Sequence, residues 1–420
     1  MKPMSERRST NGTGQSTLKA TARDEACRLL DASVMVFDGC PVGTVAAGNP
    51  SALNPDNYRE CFIRDFFVSG LVFLADGKVD IVRNFLLTTL ALTEREHGGS
   101  EQTIHPSVMP ASFRVVKDTG TKERLVGDFG ERAIGRVAPV DSTFWWTLLF
   151  SAAVQVSGDR DLVMREDVQR NLKRVLALSP NDAFEVYPTL MVPDGAFMVD
   201  RRLGVYGHPL EIQVLFYYAL QRALHYIEKT PDNQRLITLG EARLQRLRGY
   251  IRRFYWLDLQ RLSEINRFPT EEFGGTGENP LNVNPESIPQ WVTGWLEQGA
   301  GYLVGNIGPA RMDFRFFTQG NLLAILCGLT TERQTAGIMT LIEKRWSDLV
   351  GAMPIKLCYP ALDRGAWQLL TGSDPKNRPW SYHNGGNWPV LLWPLVAAAV
   401  KSGHGTLAER ALSLAAGRLP

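Results

Sequence analysis

Apolar positions recur with a helical period along most of this chain. In DLVMREDVQRNLKRVLALSP, Val168, Leu172, Val175 and Leu176 fall at i, i+4, i+7 and i+8, and EARLQRLRGYIRRFYW repeats the stripe through Leu244, Leu247, Ile251, Phe254 and Tyr255. Each pattern predicts a helix with one wet face. PLEIQVLFYYALQRALHYI and STFWWTLLFSAAVQV differ, being apolar nearly all round, as expected of helices enclosed by other helices. The sequence therefore predicts two helix types, inner and outer.

Long Gly/Pro-rich connections lie between them, notably HPSVMPASFRVVKDTG, FPTEEFGGTGENPLNVNPESIP and TGSDPKNRPWSYHNGGNWP. Loops of this length inside a compact chain usually carry function. No low-complexity linker divides the sequence after residue 23 and no short repeat is present, so residues 23–420 are read as one domain. Polar, aromatic loops are expected to gather at one end of it. Residues 1–22, MKPMSERRSTNGTGQSTLKATA, lack the apolar region of a secretory signal and read as a disordered tail. A transit peptide is the weaker alternative, because Arg and Ser occur there without a clear amphipathic face.

Composition narrows the partners. With 420 residues and 44% hydrophobic content the chain can bury a large core. Lys plus Arg number 46 against 44 Asp plus Glu, and a formal charge of +2 provides no field for nucleic acid or an anionic membrane. Small neutral partners fit better, and a homo-oligomer is left open. No apolar run is long enough to cross a bilayer. The five cysteines (Cys27, Cys40, Cys61, Cys327, Cys358) show no CxxC spacing and the six histidines no HxxxH or HxH. They are read as reduced core thiols and non-ligating histidines of a cytoplasmic protein with no metal and no cofactor.

Six motifs go further: CFIRDF, GRVAPVDSTFWW, PTLMVPDGAFMVDRRLGVYGHPLEIQ, MDFRFFTQGNL, IKLCYPAL and TGSDPKNRPWSYHNGGNWPVLLW. In this order they closely resemble the neutral/alkaline invertases of glycoside hydrolase family 100, from about residue 25 to the last residue. The resemblance implies an all-α (α/α)6 barrel of six inner and six outer helices. It also implies hydrolysis of sucrose to glucose and fructose, with inversion at the glucosyl carbon and without a metal. Inverting hydrolysis needs a carboxylic acid to protonate the departing oxygen and a carboxylate to activate water, roughly 6.5–9.5 Å apart.

By the same resemblance Asp200, in FMVDRRLG, matches the general acid. Gly195 and Gly204 allow sharp turns on either side of it, and Pro209 suits the first turn of the helix that follows. Arg201 and Arg202 would lower a neighbouring carboxyl pKa, so they are expected to point away and pair elsewhere. Arg64 and Asp65 are expected to grip glucosyl hydroxyls, a buried ion pair between the two being the alternative. Asp141 is divided between sugar binding and capping the helix behind it. Glu211 and Gln213 are two apart, so at most one faces the cleft squarely. His208 and His383 are candidate hydroxyl partners. Of Trp145, Trp146, Trp380 and Trp388, only Trp388 is taken as a stacking platform, the others as core.

In the family, a segment like ERALSLAAGRLP is followed by the glutamate assigned as general base and by the last barrel helix. The sequence ends at Pro420, so that base is expected beyond it and the ring is expected to be incomplete at its C-terminus. Two readings follow: a sucrose hydrolase represented by a fragment, which is preferred, or a sucrose-binding pseudoenzyme. A related barrel acting on another glucoside, such as trehalose, fits the motif set less well.

Overall fold

A computed structural model describes residues 23–45, 59–97, 107–117, 122–131, 137–179, 187–192, 194–199, 201–268, 279, 281–308 and 311–418. The N-terminal tail expected over residues 1–22 lies outside them. Five pairs of helices dominate the described residues. The first member of each pair is inner: α1 (Ile63–Ala75), α3 (Ser142–Ser157), α5 (Leu210–Tyr226), α7 (Thr318–Leu326) and α9 (Leu392–Lys401). The second is outer: α2 (Val79–His97), α4 (Glu166–Leu176), α6 (Gln234–Tyr250), α8 (Glu332–Lys344) and α10 (Gly405–Ala416).

Inner helices pack side by side in chain order, α1 on α3, α3 on α5, α5 on α7 and α7 on α9. The Phe67 and Trp393 rings, 5.8 Å apart, bring α9 back to α1. Each inner helix owes its place to its sequence. In α3 the side chains from Ser142 to Ser151 are all buried, including Trp145 and Trp146, and Gly158 at φ +69° ends the helix. In α4, by contrast, Glu166 and Asp167 occupy the first turn and Lys173 and Arg174 the last, with the dipole. Its stripe of Val168, Leu172, Val175 and Leu176 is fully covered. The expectation of two helix types holds for these segments.

Strands were not anticipated. β1 (Val34–Phe37) and β2 (Cys40–Thr44) form a hairpin, and β3 (Cys61–Phe62), β4 (Ser112–Lys117) and β5 (Glu123–Asp128) a second sheet. A third sheet runs β10–β9–β8–β6, from β6 (His208–Pro209), β8 (Gly301–Gly308), β9 (Arg311–Phe317) and β10 (Cys358–Tyr359), with β7 (Trp256–Asp258) also on β8. Part of the long connection HPSVMPASFRVVKDTG is thus strand β4, and MDFRFF is strand β9. Strands β3, β6 and β9 run directly into α1, α5 and α7, which places them at the N-terminal ends of the inner helices.

Smaller expectations are corrected here. Cys61, Cys327 and Cys358 are buried thiols, but Cys40 is exposed and Cys27 half-buried, and all five are free. Pro209 precedes α5 as its N-cap residue rather than lying in its first turn. Pro394 falls in the first turn of α9, where its missing N–H leaves no intrahelical bond unmade.

Candidate active site

The long polar stretch before α5 is pinned at both ends. Val192 and Gly207 exchange backbone hydrogen bonds of 2.5 and 2.9 Å, closing residues between them into a loop. Ala196 bonds to Ala138 and Val140, holding this loop against the chain that enters α3. Gly204, at φ +69°, supplies the expected turn, whereas Gly195 is required by close approach. A Cβ there would stand 2.6 Å from the Val140 side chain. Asp200, the expected general acid, lies outside the described residues, as does the Arg201 side chain. Arg202 turns to Asp374 at 3.2 Å, a partner elsewhere in the chain, as expected.

Charged groups from three inner helices meet at these N-terminal ends. Arg64, in the first turn of α1, donates through Nε to Asp141 Oδ2 at 2.5 Å and through Nη2 to Oδ1 at 3.4 Å. The expected alternative, a pair between Arg64 and Asp65, is therefore replaced by a pair between helices. Asp141 immediately precedes α3 yet its side chain caps nothing, since Arg64 and the Trp145 indole N–H, at 3.2 Å, take the carboxylate. Its side chain is 0% exposed and is held against Arg64. Burial opposes the Arg64 charge most strongly, but Asp141, Asp65 and Glu211 together outweigh it and raise the Arg64 pKa.

Asp65 is exposed and makes no ion pair among the described residues. Its pKa is nevertheless raised, by burial first and by Asp141 second, against the pull of Arg64. It is accessible to solvent on one side yet crowded by protein on the other.

Glu211, in the first turn of α5, is 5% exposed and accepts from Gln319 Nε2 of α7 at 3.0 Å. Burial and the neighbouring Asp141 push its pKa from 4.5 up to about 8, while Arg64, the Met198 backbone N–H and Gln319 oppose the rise. Gln213 faces elsewhere, as the two-residue offset requires. It is 0% exposed, and its amide is spent on both backbone groups of Leu190, at 2.8 and 2.9 Å. It is structural, and the expectation that it binds substrate is corrected.

The remaining candidates separate. His383 is 8% exposed, its ring stacked on Tyr382 at 4.0 Å and against Trp388 at 4.8 Å. Trp388 is half-buried, with its indole N–H on the Tyr382 carbonyl at 3.0 Å, just before α9. Trp145 and Trp146 are core, as expected, but Trp380 is 48% exposed with Lys356 Nζ 4.4 Å from its ring centre. His208 stands in β6, its carbonyl accepting from the Tyr255 hydroxyl at 2.6 Å. No group of three or more His, Cys, Asp or Glu suited to a metal occurs among the described residues.

Gln319 was not singled out from sequence, and Trp145 was read only as core, because neither hydrogen-bonding partner is visible in the sequence. Asp313 and Arg315 were legible in principle, as the charged members of the alternation in MDFRFF. They form a buried pair on β9 at 2.5 Å, and Arg315 also reaches the Leu203 carbonyl at 2.9 Å. Trp145→Phe removes the indole donor from the buried Asp141 carboxylate without changing the ring packing greatly. It should cost roughly 1.5–3 kcal/mol, the range for a bond to a charged group, read as a lower urea midpoint at unchanged slope.

The architecture is that of helical glycosidases. One such glycosidase, solved as a single-site variant, matches with a TM-score of 0.53 at 13% identity over 98% of this chain and 86% of its own. A glycosidase variant solved with glucose matches equally well. The family is fixed by sequence: the alkaline and neutral invertase profile matches residues 26–420, and the chain belongs to that family. It is 47% identical to neutral/alkaline invertase 1, mitochondrial, of Oryza sativa subsp. japonica, over 97% of this chain and 66% of that protein. It is 47% identical to alkaline/neutral invertase C, mitochondrial, of Arabidopsis thaliana, over 94% and 60%. For the chloroplastic invertase E of the same plant the figures are 46%, 98% and 68%. The chain thus spans about two thirds of the length of these relatives.

Proposed function

We propose that this protein hydrolyses the α-1,2 bond of sucrose by attack of water at the glucosyl carbon, with inversion. The observation that supports this most directly is the cluster of Arg64, Asp141 and Glu211, with Asp65 beside it, at the N-terminal ends of the inner helices. Membership of the alkaline and neutral invertase family supports sucrose as the substrate. The helix pairs are read as part of an (α/α)6 barrel.

In the proposed mechanism Asp200 protonates the fructosyl oxygen as the bond breaks. A second carboxylate, on the opposite side of the sugar, activates the attacking water. Asp65 accepts from glucosyl hydroxyls, and Arg64, held by Asp141, donates to them. Charged hydrogen bonds of this kind orient the ring, and those that the Asp65 carboxylate accepts strengthen as positive charge develops at the anomeric carbon. Helix N-termini add backbone N–H groups to the same surface. His208, His383 and Trp388 remain proposed contributors to the sugar pocket, Trp388 through its ring face. The reaction needs no cofactor, and the protein is placed in the cytoplasm. No helix among the described residues is long and apolar enough to cross a membrane.

Stereochemistry tests the reading. A single displacement opposite the α-linked fructosyl group releases β-glucose first. Proton NMR over the first minutes of turnover should show the β anomer ahead of mutarotation. Initial α-glucose would mean a covalent intermediate, and sucrose binding without turnover would reduce the protein to a sugar-binding one.

A further inference from the structure

Strand β9 sends a charged side chain to the polar loop before α5. Arg315, 5% exposed, is clasped by Asp313 two residues earlier, Nε to Oδ1 at 2.9 Å and Nη2 to Oδ2 at 2.5 Å. Nη2 also donates to the Leu203 carbonyl at 2.9 Å. Leu203 is 0% exposed and ends a single 3₁₀ turn, Arg201–Leu203, which begins immediately after position 200 in the chain. The same strand runs into α7, where Gln319 donates to Glu211, and Glu211 in turn accepts from the Met198 backbone N–H. The loop backbone is therefore gripped shortly before position 200, through Glu211, and shortly after it, by Arg315.

The far side of the loop is pinned without any charge. Asn306 of β8 donates to the Tyr206 carbonyl at 2.6 Å, and a Cβ at Gly207 would stand 2.7 Å from Gly308 Cα. Stability gives no reason for an ion pair beside it, since replacing a buried pair by uncharged residues of similar volume is often neutral or stabilising. What an uncharged pair lacks is the donor to Leu203. A guanidinium locked by a carboxylate on a strand has little freedom of its own, so the turn that it grips is held equally firmly.

We propose that Arg315 is a positioning residue for the reaction, holding the turn after position 200 so that the acid there meets the leaving oxygen. The proposal rests on the reading of Asp200 as the general acid. Arg315 touches neither substrate nor the transferred proton in this role, and Asp313 serves by orienting it. Misplacing a reacting group by about 1 Å can cost on the order of 10²-fold in rate. Loosening the tether should therefore slow the step that needs the proton and leave substrate binding in place.

The pair is removed as a double variant, Asp313→Asn with Arg315→Met, because Arg315→Met alone leaves an unpaired buried carboxylate. Asparagine keeps an oxygen for the backbone N–H of residue 315, which Asp313 Oδ1 accepts at 3.1 Å. In the active enzyme the double variant should turn over sucrose about 10- to 100-fold more slowly, with KM within about threefold of the parent value. α-Glucosyl fluoride is the second substrate, since fluoride departs with little help from an acid, and its hydrolysis should stay close to the parent rate. A merely structural loss would slow both substrates alike. Hydrogen exchange over residues 201–207 should rise in the double variant while α5 and α7 keep the protection of the parent.

Asp200→Asn, measured in parallel, separates this proposal from the reading beneath it. If Asp200→Asn slows sucrose and spares the fluoride, but the double variant slows both or neither, the tether is wrong and the acid stands. If Asp200→Asn slows both substrates equally or neither, the acid assignment fails and the tether with it. Unchanged exchange over residues 201–207 also overturns the tether, whatever the kinetics.

Discussion

Asp200→Asn is expected to turn over sucrose on the order of 10²–10⁴-fold more slowly than the active parent enzyme, the usual worth of general acid catalysis. The amide preserves size and polarity but has no proton to give the leaving fructosyl oxygen. Sucrose affinity should change little, so the loss should fall on kcat rather than on KM. Of the two neighbouring arginines expected to pair elsewhere, Arg202 is engaged by Asp374. Retention of more than about a tenth of kcat is too small a loss for a general acid and would move the role to another carboxylate. Steady-state kinetics at a pH where the parent is fully active, with circular dichroism to confirm folding, decides it.

Much of the fold was legible because burial writes a period into the sequence. The one-sided stripe of Val168, Leu172, Val175 and Leu176 and the all-round apolarity of α3 and α5 follow directly from which faces meet water. Strands were missed for a physical reason. β3, β6 and β10 are two residues long, and β8 is buried on both faces, so neither length nor alternation announces them. Only β9 carries a period of two, in Met312, Asp313, Phe314 and Arg315.

Site residues were legible as types but not as partners. Arg64 and Asp65 are adjacent in sequence, yet the guanidinium crosses to Asp141, because consecutive helical residues point in different directions. Gln213 carries a polar group that looks available until the backbone of Leu190 is placed beside it. Asp141 shows the same limit in reverse: its position predicts a cap, and a cation from another helix claims the carboxylate first.

Glu211 sets the largest expected dependence of stability on pH. Its pKa stands at about 8 in the folded protein against an ordinary 4.5. The folded state therefore binds the proton more tightly than the unfolded chain. The stabilising contribution is fully present below about pH 4.5, declines as pH rises through about 8, and is absent above it. At ~1.4 kcal/mol per tenfold difference in proton affinity, the swing is on the order of 5 kcal/mol. Cys327 and Cys358, which burial pushes to about 12 and 11, stay protonated in the folded protein across the neutral range. Glu211→Gln stays neutral throughout and keeps a carbonyl oxygen for the Gln319 amide, so its stability curve should lack this slope. Urea denaturation from pH 5 to pH 9 should show the variant gaining steadily on the parent, with most of the difference developed by pH 8. Parallel curves would mean that Glu211 is already ionised at pH 5, held as a carboxylate by Arg64 and Gln319. In that case Asp141 and Glu211 would share the Arg64 charge, and the proposed sugar pocket would carry one more negative charge at neutral pH.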